Sequence, residues 1–261
     1  MKSDISDFLQ MKNTMPIPML TAYTTPVARC LEKAGIPIIL VGDTVGMVEM
    51  GFDSTREVTI EHMEYHVSAV RRGAKNTHII GDLPYNTYIN PNIALLNAKR
   101  LIAAGADSVK LEGSKIEVIA HLVENEIPVV GHTGLTPQTA KNFKKVGNSL
   151  NEAQRIKEEA IAIQKSGAFM LVLEHIPYNL AHEITTLLPI PIIGIGAGPN
   201  CDGQVLVIND AIGLGDYWPP FSKQYAHVTQ TINEVVKIFK KEVVSQEFPN
   251  NIINISASRK S

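Results

Sequence analysis

One pattern recurs along the chain and constrains its fold more than any other feature. A helical segment ends at glycine, a short apolar run follows, and the run stops at an acidic residue. The copies are KAGIPIILVGD, RRGAKNTHIIGD, AAGADSVKLEG and KSGAFMLVLEH. Glycine is the usual residue just past the end of a helix, and apolar runs without alternation are typical of parallel strands buried on both faces. The pattern therefore predicts helices that alternate with parallel strands.

Alternating helices and strands fit either a closed barrel or an open doubly wound sheet. The strands are predicted at residues 17–22, 37–42, 77–82, 108–112, 128–132, 169–174 and 191–196, with a less regular eighth at 205–209. Polar residues stand at the C-terminal ends of five of them: Asp43, Asp82, Glu112, His132 and Glu174. A barrel brings such residues together at one mouth, whereas an open sheet spreads them along an edge. We therefore predict an α/β fold of the (β/α)8 TIM-barrel type.

The pattern runs on without a linker, so we expect a single barrel domain over residues 1–244, followed by a polar, flexible tail over residues 245–261. Asn90 before Pro91 predicts a helix start, with asparagine as the N-cap. A second start is predicted at Asn151, from its spacing to Gln154. The longest connection without periodicity, residues 133–150, is the candidate for a mobile lid.

Charge and cysteine content exclude several classes of function. The 261 residues carry a net charge of −2, without the basic cluster that nucleic acid or an anionic membrane would require. The longest apolar run, LLPIPIIGIGAG, is too short to span a bilayer, and the N-terminus lacks the apolar segment of a signal peptide. Cys30 and Cys201 have neither disulfide nor metal-site spacing, so we expect both to pack in the interior. These features predict a cytoplasmic protein that binds small molecules.

The stretch ADSVKLEGS, residues 106–114, places Lys110 and Glu112 on the same face of a strand. Carboxylates that converge at a barrel mouth repel one another unless a cation compensates them. Oxygen ligands without cysteine favour Mg²⁺, which uses one or two carboxylates together with water and substrate. The alternative interpretation is that each acid is a helix cap or a surface residue.

Lys110 has three interpretations. Among carboxylates it stays protonated and attracts an anionic substrate; alternatively it forms a Schiff base, or it only pairs with Glu112. His132 either donates to a substrate oxygen or is a core histidine. The segment GIGAG, residues 194–198, allows close backbone approach to a ligand, but an acid to bind a ribose is missing at the expected distance after it.

Taken together, these motifs resemble the ketopantoate hydroxymethyltransferase family from about residue 17 to residue 225. The motifs, in order, are VGDTVGM, STREVTIEHMEYHVSAVRRGA, GDLPY, VKLEG, GHTGLTPQ, LVLEHIP and IGIGAGPNCDGQVLV. The resemblance implies a cytosolic (β/α)8 barrel that forms homo-oligomers, often decamers. It also implies transfer of a one-carbon group from 5,10-methylenetetrahydrofolate to 3-methyl-2-oxobutanoate, which gives 2-dehydropantoate in pantothenate biosynthesis.

The resemblance also assigns roles to residues. The implied Mg²⁺ site consists of Asp43, Asp82 and Glu112. The implied contacts of the keto acid are Asp43, Thr44, Asp82 and Lys110, to which the position at a strand end adds His132. Glu174 is the implied proton acceptor, and Mg²⁺ would stabilise the enolate that forms when the proton leaves.

The chain departs from the family pattern at a few positions. Thr24 and Asn209 stand where aspartate and histidine are usual, and the segment 141–148 is shorter than usual, which bears on folate contact and loop closure. Two rival functions are a Mg²⁺-dependent carbon–carbon lyase of the phosphoenolpyruvate mutase and isocitrate lyase type, and a non-catalytic barrel that binds keto acids. The lyases carry a loop with a cysteine, whereas this chain has none between Cys30 and Cys201.

Overall fold

The computed structural model describes residues 4–140 and 142–249. Eight parallel strands pair in chain order, and the last pairs with the first, with Ile17 opposite Gly203. The strands are β1 Ile17–Thr21, β2 Ile38–Val41, β3 His78–Asp82, β4 Ser108–Lys110, β5 Val129–Gly134, β6 Met170–Glu174, β7 Ile192–Ile195 and β8 Gly203–Leu206. The predicted closed (β/α)8 barrel in a single domain is confirmed, and the open sheet is wrong.

Helices follow the strands in the alternation that the sequence predicts. They are α1 Ile5–Met11, α2 Thr25–Lys33, α3 Val45–Val48, α4 Ile60–Gly73, α5 Pro91–Ala104, α6 Ile116–Glu124, α7 Leu150–Lys165, α8 Tyr178–Leu187, α9 Ile208–Ile212 and α10 Val228–Val244. None of these helices, within the described ranges, has the length and hydropathy needed to cross a membrane. The predicted start of the tail at residue 245 coincides with the end of α10, and residues 250–261 lie outside the described part.

The two predicted helix starts have different outcomes. The Asn90 side chain accepts a hydrogen bond of 3.0 Å from the Ile93 amide, as an N-cap does, so this prediction is confirmed. The prediction at Asn151 is wrong because α7 begins earlier. There Ser149 and Glu152 form the reciprocal capping pair, each accepting at 3.3 Å from the other's amide.

Two apolar layers hold the barrel together. Inside it, alternate strand residues fill the lumen, and Phe8 of α1 closes the N-terminal end with its ring centroid 5.2 Å from that of His78. Outside it, the other strand residues pack against the helices. The described side chains pack the lower lumen, and the C-terminal mouth is left open to bind a ligand.

The helical layer is incomplete over β8 and β1. The outward residues of β2 to β7 are buried, but Pro18 and Gln204 are exposed, and Leu20 and Leu206 are only partly covered. Helix α10, which follows β8 in the chain, buries none of its residues. We call the outward face of these four residues the open strip.

Three further predictions need correction. Strand β4 ends at Lys110, so Glu112 lies just beyond it. Strand β8 begins and ends earlier than predicted, and the last two residues of the predicted range 205–209 belong to α9. Cys30 is exposed rather than packed, because it lies on the outer side of α2, whereas Cys201 does pack against the core.

Candidate active site

All of the predicted site residues meet at the C-terminal mouth of the barrel. Asp82, Lys110 and Glu174 end their strands, His132 lies within β5, and Asp43 and Glu112 lie two residues beyond theirs. Together with Thr44 these side chains line an inner cavity of about 50 Å³. The lining is charged yet buried, with Asp43, Asp82, Lys110, Glu112 and His132 each at most 5% exposed. The alternative that the acids are helix caps or surface residues is therefore wrong.

Lys110 makes an ion pair with Asp82, with 2.8 Å between Nζ and Oδ1. Burial by itself would lower the pKa of Lys110, but the carboxylates of Asp82, Glu112 and Asp43 outweigh burial, so its pKa lies above the usual value. The side chain is therefore an ammonium cation at neutral pH. An amine must be neutral to attack a carbonyl, so this setting favours charge recognition over a Schiff base. The partner is Asp82, so the alternative of a pair with Glu112 alone is wrong.

Asp43 and Glu112 lie where negative charge is unfavourable. Burial and the nearby Asp82 raise the pKa of Asp43 to about 7. The pKa of Glu112 also lies well above its usual value, because burial and Asp43 outweigh the attraction of Lys110. The Asp82 carboxylate already has one hydrogen bond, since its Oδ2 accepts from the Asp43 backbone amide at 3.1 Å. A cation at this position would lower both pKa values.

His132 lies between the cation and the predicted base. Its Nδ1 is 3.5 Å from Lys110 Nζ, and its Nε2 is 3.3 Å from Glu174 Oε2. Burial and Lys110 lower the pKa of His132, so the ring is neutral. An ammonium only donates, so we infer that Nδ1 carries the lone pair and Nε2 carries the proton. Nε2 makes no hydrogen bond within the described part of the chain, so its proton is available to a ligand in the inner cavity.

Gln138 contacts the predicted site residues, although the sequence analysis did not single it out. It follows β5 in the connection 133–150 and is 1% exposed. Its Nε2 donates to Asp43 Oδ2 at 2.7 Å, and its backbone amide donates to Glu112 Oε2 at 3.0 Å. The motif GHTGLTPQ contained this residue, but no local spacing indicates a contact with an acid 95 positions earlier.

The arrangement of the carboxylates suits a magnesium ion that is bound by only a few protein ligands. In the described ranges no group of three or more His, Cys, Asp or Glu residues is close enough to hold a metal. The chain therefore does not form a cage of the three acids. Asp43 and Asp82 are adjacent, since the Asp43 amide donates to Asp82 Oδ2 at 3.1 Å, and the pKa of Asp43 is raised. Mg²⁺ often uses just one or two carboxylates and completes its coordination with water and substrate, so this pair suits it.

A larger outer cavity of about 250 Å³ adjoins the inner one. Both cavities are lined by Thr44, Pro137, Glu174, Ile195 and Val207. The outer lining is mostly apolar and includes several rings, from Phe143, His175, Tyr217 and Phe221. The two cavities thus place Glu174 where two bound molecules would meet.

The glycines of GIGAG serve the packing of the protein itself. A Cβ atom on Gly194 would lie 2.9 Å from Cys201 Sγ. One on Gly196, whose φ is +61°, would lie 2.8 Å from a carbon of the Phe221 ring. The close approach predicted for a ligand is therefore made by Cys201 and Phe221.

The fold and site together define a TIM-barrel enzyme whose active site lies at the C-terminal mouth. The family described as ketopantoate hydroxymethyltransferase matches residues 2–251. The chain belongs to this family, and it is an enzyme of the hydroxymethyltransferase type.

Relatives of the chain support the same family. The 3-methyl-2-oxobutanoate hydroxymethyltransferase of Dehalococcoides mccartyi is 46% identical over 258 residues, covering 95% of this chain and 92% of the relative. The enzyme of that name from Thermus thermophilus is 44% identical over 256 residues, covering 95% and 98%.

Solved structures with a similar fold are far more distant in sequence. A 2,3-dimethylmalate lyase of the phosphoenolpyruvate mutase and isocitrate lyase superfamily has a TM-score of 0.63 at 13% identity, covering 98% of this chain and 93% of its own. A phosphonopyruvate hydrolase, solved with oxalate and Mg²⁺, has a TM-score of 0.62 at 13% identity, covering 98% and 91%. These likenesses show the barrel fold alone, so they do not support the lyase alternative.

Proposed function

We propose that the enzyme transfers a hydroxymethyl group from 5,10-methylenetetrahydrofolate to 3-methyl-2-oxobutanoate, giving 2-dehydropantoate for pantothenate biosynthesis. The observation that carries this proposal is the buried Lys110 ammonium in a small cavity whose other charges are carboxylates. A keto acid brings the negative charge that Lys110 attracts, and its oxygens complete a metal site. The names of the relatives supply the keto acid.

We assign Mg²⁺ to Asp43 and Asp82, with Glu112 beside them as a ligand through water. When bound, Mg²⁺ supplies Lewis acidity to the keto-acid oxygens. The contribution of the chain is to hold two carboxylates together with the Lys110 cation in a buried cavity. The Thr44 hydroxyl and the His132 ring lie in the same lining and orient the substrate by hydrogen bonds.

Glu174 is the proposed general base. Its side chain is 17% exposed and lies in the lining shared by both cavities. The proton on C3 of the keto acid passes to the Glu174 carboxylate, and the carbon nucleophile that remains bonds to the one-carbon unit. His132 Nε2 lies 3.3 Å from Glu174 Oε2, without a hydrogen bond between them. Both bonds from the one-carbon unit to the folate nitrogens break: the bond to C3 replaces one, and the oxygen of one water replaces the other as the product hydroxyl. The C3 proton and the second water proton end on the two folate nitrogens.

We place the folate in the outer cavity. The pterin ring system is flat and aromatic, and side-chain rings line this space. Asp210 adds a polar group: it is 6% exposed, and no described residue donates to its carboxyl group or pairs with it. Burial raises the pKa of Asp210 to about 6. An unpartnered carboxylate in an apolar wall suits the N–H donors of a pterin.

Proton exchange tests the role of Glu174 separately from folate chemistry. Removing the C3 proton needs no folate, so the wild type should exchange it with D₂O when only the keto acid and Mg²⁺ are present. Glu174→Gln keeps the shape and removes the base, so exchange measured by NMR should slow about 10²-fold or more. Glu117→Gln, at an exposed position, serves as the matched control.

The outcomes separate the alternatives. If Glu174→Gln exchanges as fast as the wild type, another group is the base. If the wild type binds the keto acid with metal but makes no 2-dehydropantoate when methylenetetrahydrofolate is added, the non-catalytic keto-acid-binding barrel is correct instead.

We further propose that the enzyme is a homo-oligomer. Helix α10 presents an exposed apolar stripe at helical spacing, formed by Ile232, Val235, Val236, Phe239 and Val243. No helix within residues 4–140 and 142–249 covers the open strip over β8 and β1. The two surfaces complement each other, so α10 of one copy would cover the strip of another.

Light scattering after size exclusion tests the assembly. The wild type should have a mass above that of one 28.5 kDa chain. Val236→Glu should lower this mass, whereas Gln230→Glu, on the same helix outside the stripe, should not. A monomeric wild type contradicts the proposal. The decamer and the cytoplasmic location stay predictions; both cysteines are free, as a reduced compartment would require.

A further inference from the structure

Gln138 makes more directed contacts at the site than its place in a loop requires. Besides its bonds to Asp43 and Glu112, its Nε2 donates to the Leu83 carbonyl at 3.1 Å. The Tyr88 hydroxyl donates to its Oε1. Its own carbonyl accepts from Arg56 Nε at 2.6 Å. The amide group and both backbone groups of Gln138 are therefore satisfied by residues from four other parts of the chain.

These contacts fix which way the side-chain amide points. Tyr88 donates to Oε1, so both N–H bonds of Nε2 face acceptors, one on Asp43 and one on the Leu83 carbonyl. If the amide were turned over, Oε1 would face two acceptors and Nε2 would face a donor. The orientation seen here is the only one in which all three contacts are hydrogen bonds.

We propose that Gln138 is a positioning residue that sets the two acidic groups for metal and keto-acid binding; this inference rests on the proposed function. It holds Asp43 by one oxygen, Oδ2, and leaves the other oxygen for the metal. Its backbone amide holds Glu112 in the same way, by Oε2. Partners that orient metal-binding carboxylates are commonly worth 10- to 100-fold in metal affinity.

Gln138 also links the connection 133–150 to the carboxylates of the site. The residue belongs to the connection 133–150, which also supplies Pro137 to both cavities and Phe143 to the outer one. Arg56, from before α4, anchors the carbonyl of the same residue. The position of the loop and the positions of the two carboxylates are therefore coupled. When the loop is in the position seen here, Asp43 and Glu112 are held for the metal.

Metal affinity distinguishes positioning from simple support of the loop. We would titrate Mn²⁺, a paramagnetic substitute for Mg²⁺, into metal-free enzyme with saturating 3-methyl-2-oxobutanoate and follow free Mn²⁺ by EPR. Gln138→Met keeps the length and removes the donors, so the Kd should rise about 10- to 100-fold. Tyr88→Phe leaves Gln138 in place but frees its amide to turn, so the Kd should rise by a smaller factor. Gln154→Met, at an exposed position, is the matched control and should bind as the wild type does.

A residue that only supports the loop gives a different result. Misfolded molecules lower the number of sites per chain, while the Kd of the remaining sites stays that of the wild type. An unchanged Kd in Gln138→Met therefore overturns the inference while leaving the proposed function intact. If the wild type itself binds no Mn²⁺, or Asp43→Asn binds it equally well, the proposed metal site fails and the inference fails with it. A raised Kd in both Gln138→Met and Tyr88→Phe supports positioning.

Discussion

Replacing Asp43 by asparagine should make the metal-free protein more stable while removing its ability to bind metal. The pKa of Asp43 is about 7 in the folded chain, against an ordinary value of 3.8. A carboxyl group whose pKa is higher in the folded chain opposes folding at every pH above its unfolded value. This opposition grows from about pH 4 to about pH 7 and is constant above that. Asparagine has the same shape, still accepts from Gln138 and carries no charge.

The magnitude follows from the difference in pKa. Each pKa unit corresponds to about 1.4 kcal/mol, so the ionised Asp43 opposes folding by on the order of 4 kcal/mol at about pH 7.5. At about pH 5 the opposition falls to about 2 kcal/mol, because the folded protein keeps the proton. For a chain of this length, a gain of 4 kcal/mol corresponds to a rise in Tm of roughly 8 °C or more.

Thermal unfolding in excess EDTA at both pH values measures the effect. Asp43→Asn should melt above the wild type at about pH 7.5, and the gap should narrow at about pH 5. The control is Asp53→Asn, the same change at an exposed position, which should leave Tm unchanged. A Tm of Asp43→Asn at or below that of the wild type at the higher pH, or a Tm difference independent of pH, would contradict this expectation.

Three other changes test the chemistry and the scaffold. Excess EDTA should abolish formation of 2-dehydropantoate and Mg²⁺ should restore it; full turnover with EDTA would contradict the metal assignment. Borohydride with keto acid should trap no adduct on Lys110, as measured by mass spectrometry. Lys110→Arg should retain more keto-acid binding than Lys110→Ala, as measured by calorimetry. Lys12→Met breaks the buried 2.7 Å pair with Asp202, so unfolding in urea should show a loss of about 3–5 kcal/mol while KM is unchanged.

The sequence alone predicted the features that depend on interactions between neighbouring residues. Strand alternation places Lys110 and Glu112 on one face, and in the structure both point into the mouth of the barrel. Apolar runs between glycine and an acid located β2, β3, β4 and β6 within a few residues. These patterns are reliable because a buried parallel strand and a helix end each require particular residue types within a few neighbouring positions.

Contacts between residues far apart in the chain have no corresponding local sequence pattern. Gln138 contacts Asp43 and Tyr88 only because the closed barrel brings these distant positions together. The start of β8 was missed because Gly203 and Gln204 break the apolar run; yet glycine is required there, since a Cβ atom would lie 2.2 Å from the Ile17 carbonyl oxygen. The outer cavity depends on residues 217–221, which have no regular structure and so no periodicity to detect.

The exposed α10 has a consequence for how the enzyme behaves on dilution. Its 17 residues include many β-branched side chains, and it buries none of them on its own barrel. A free helix of that length and composition is marginal in water. If the proposed homo-oligomer forms, contacts from another copy stabilise this helix, and mass action links those contacts to protein concentration. Far-ultraviolet circular dichroism per residue should then decrease as the protein is diluted, while the near-ultraviolet signal of the barrel stays constant.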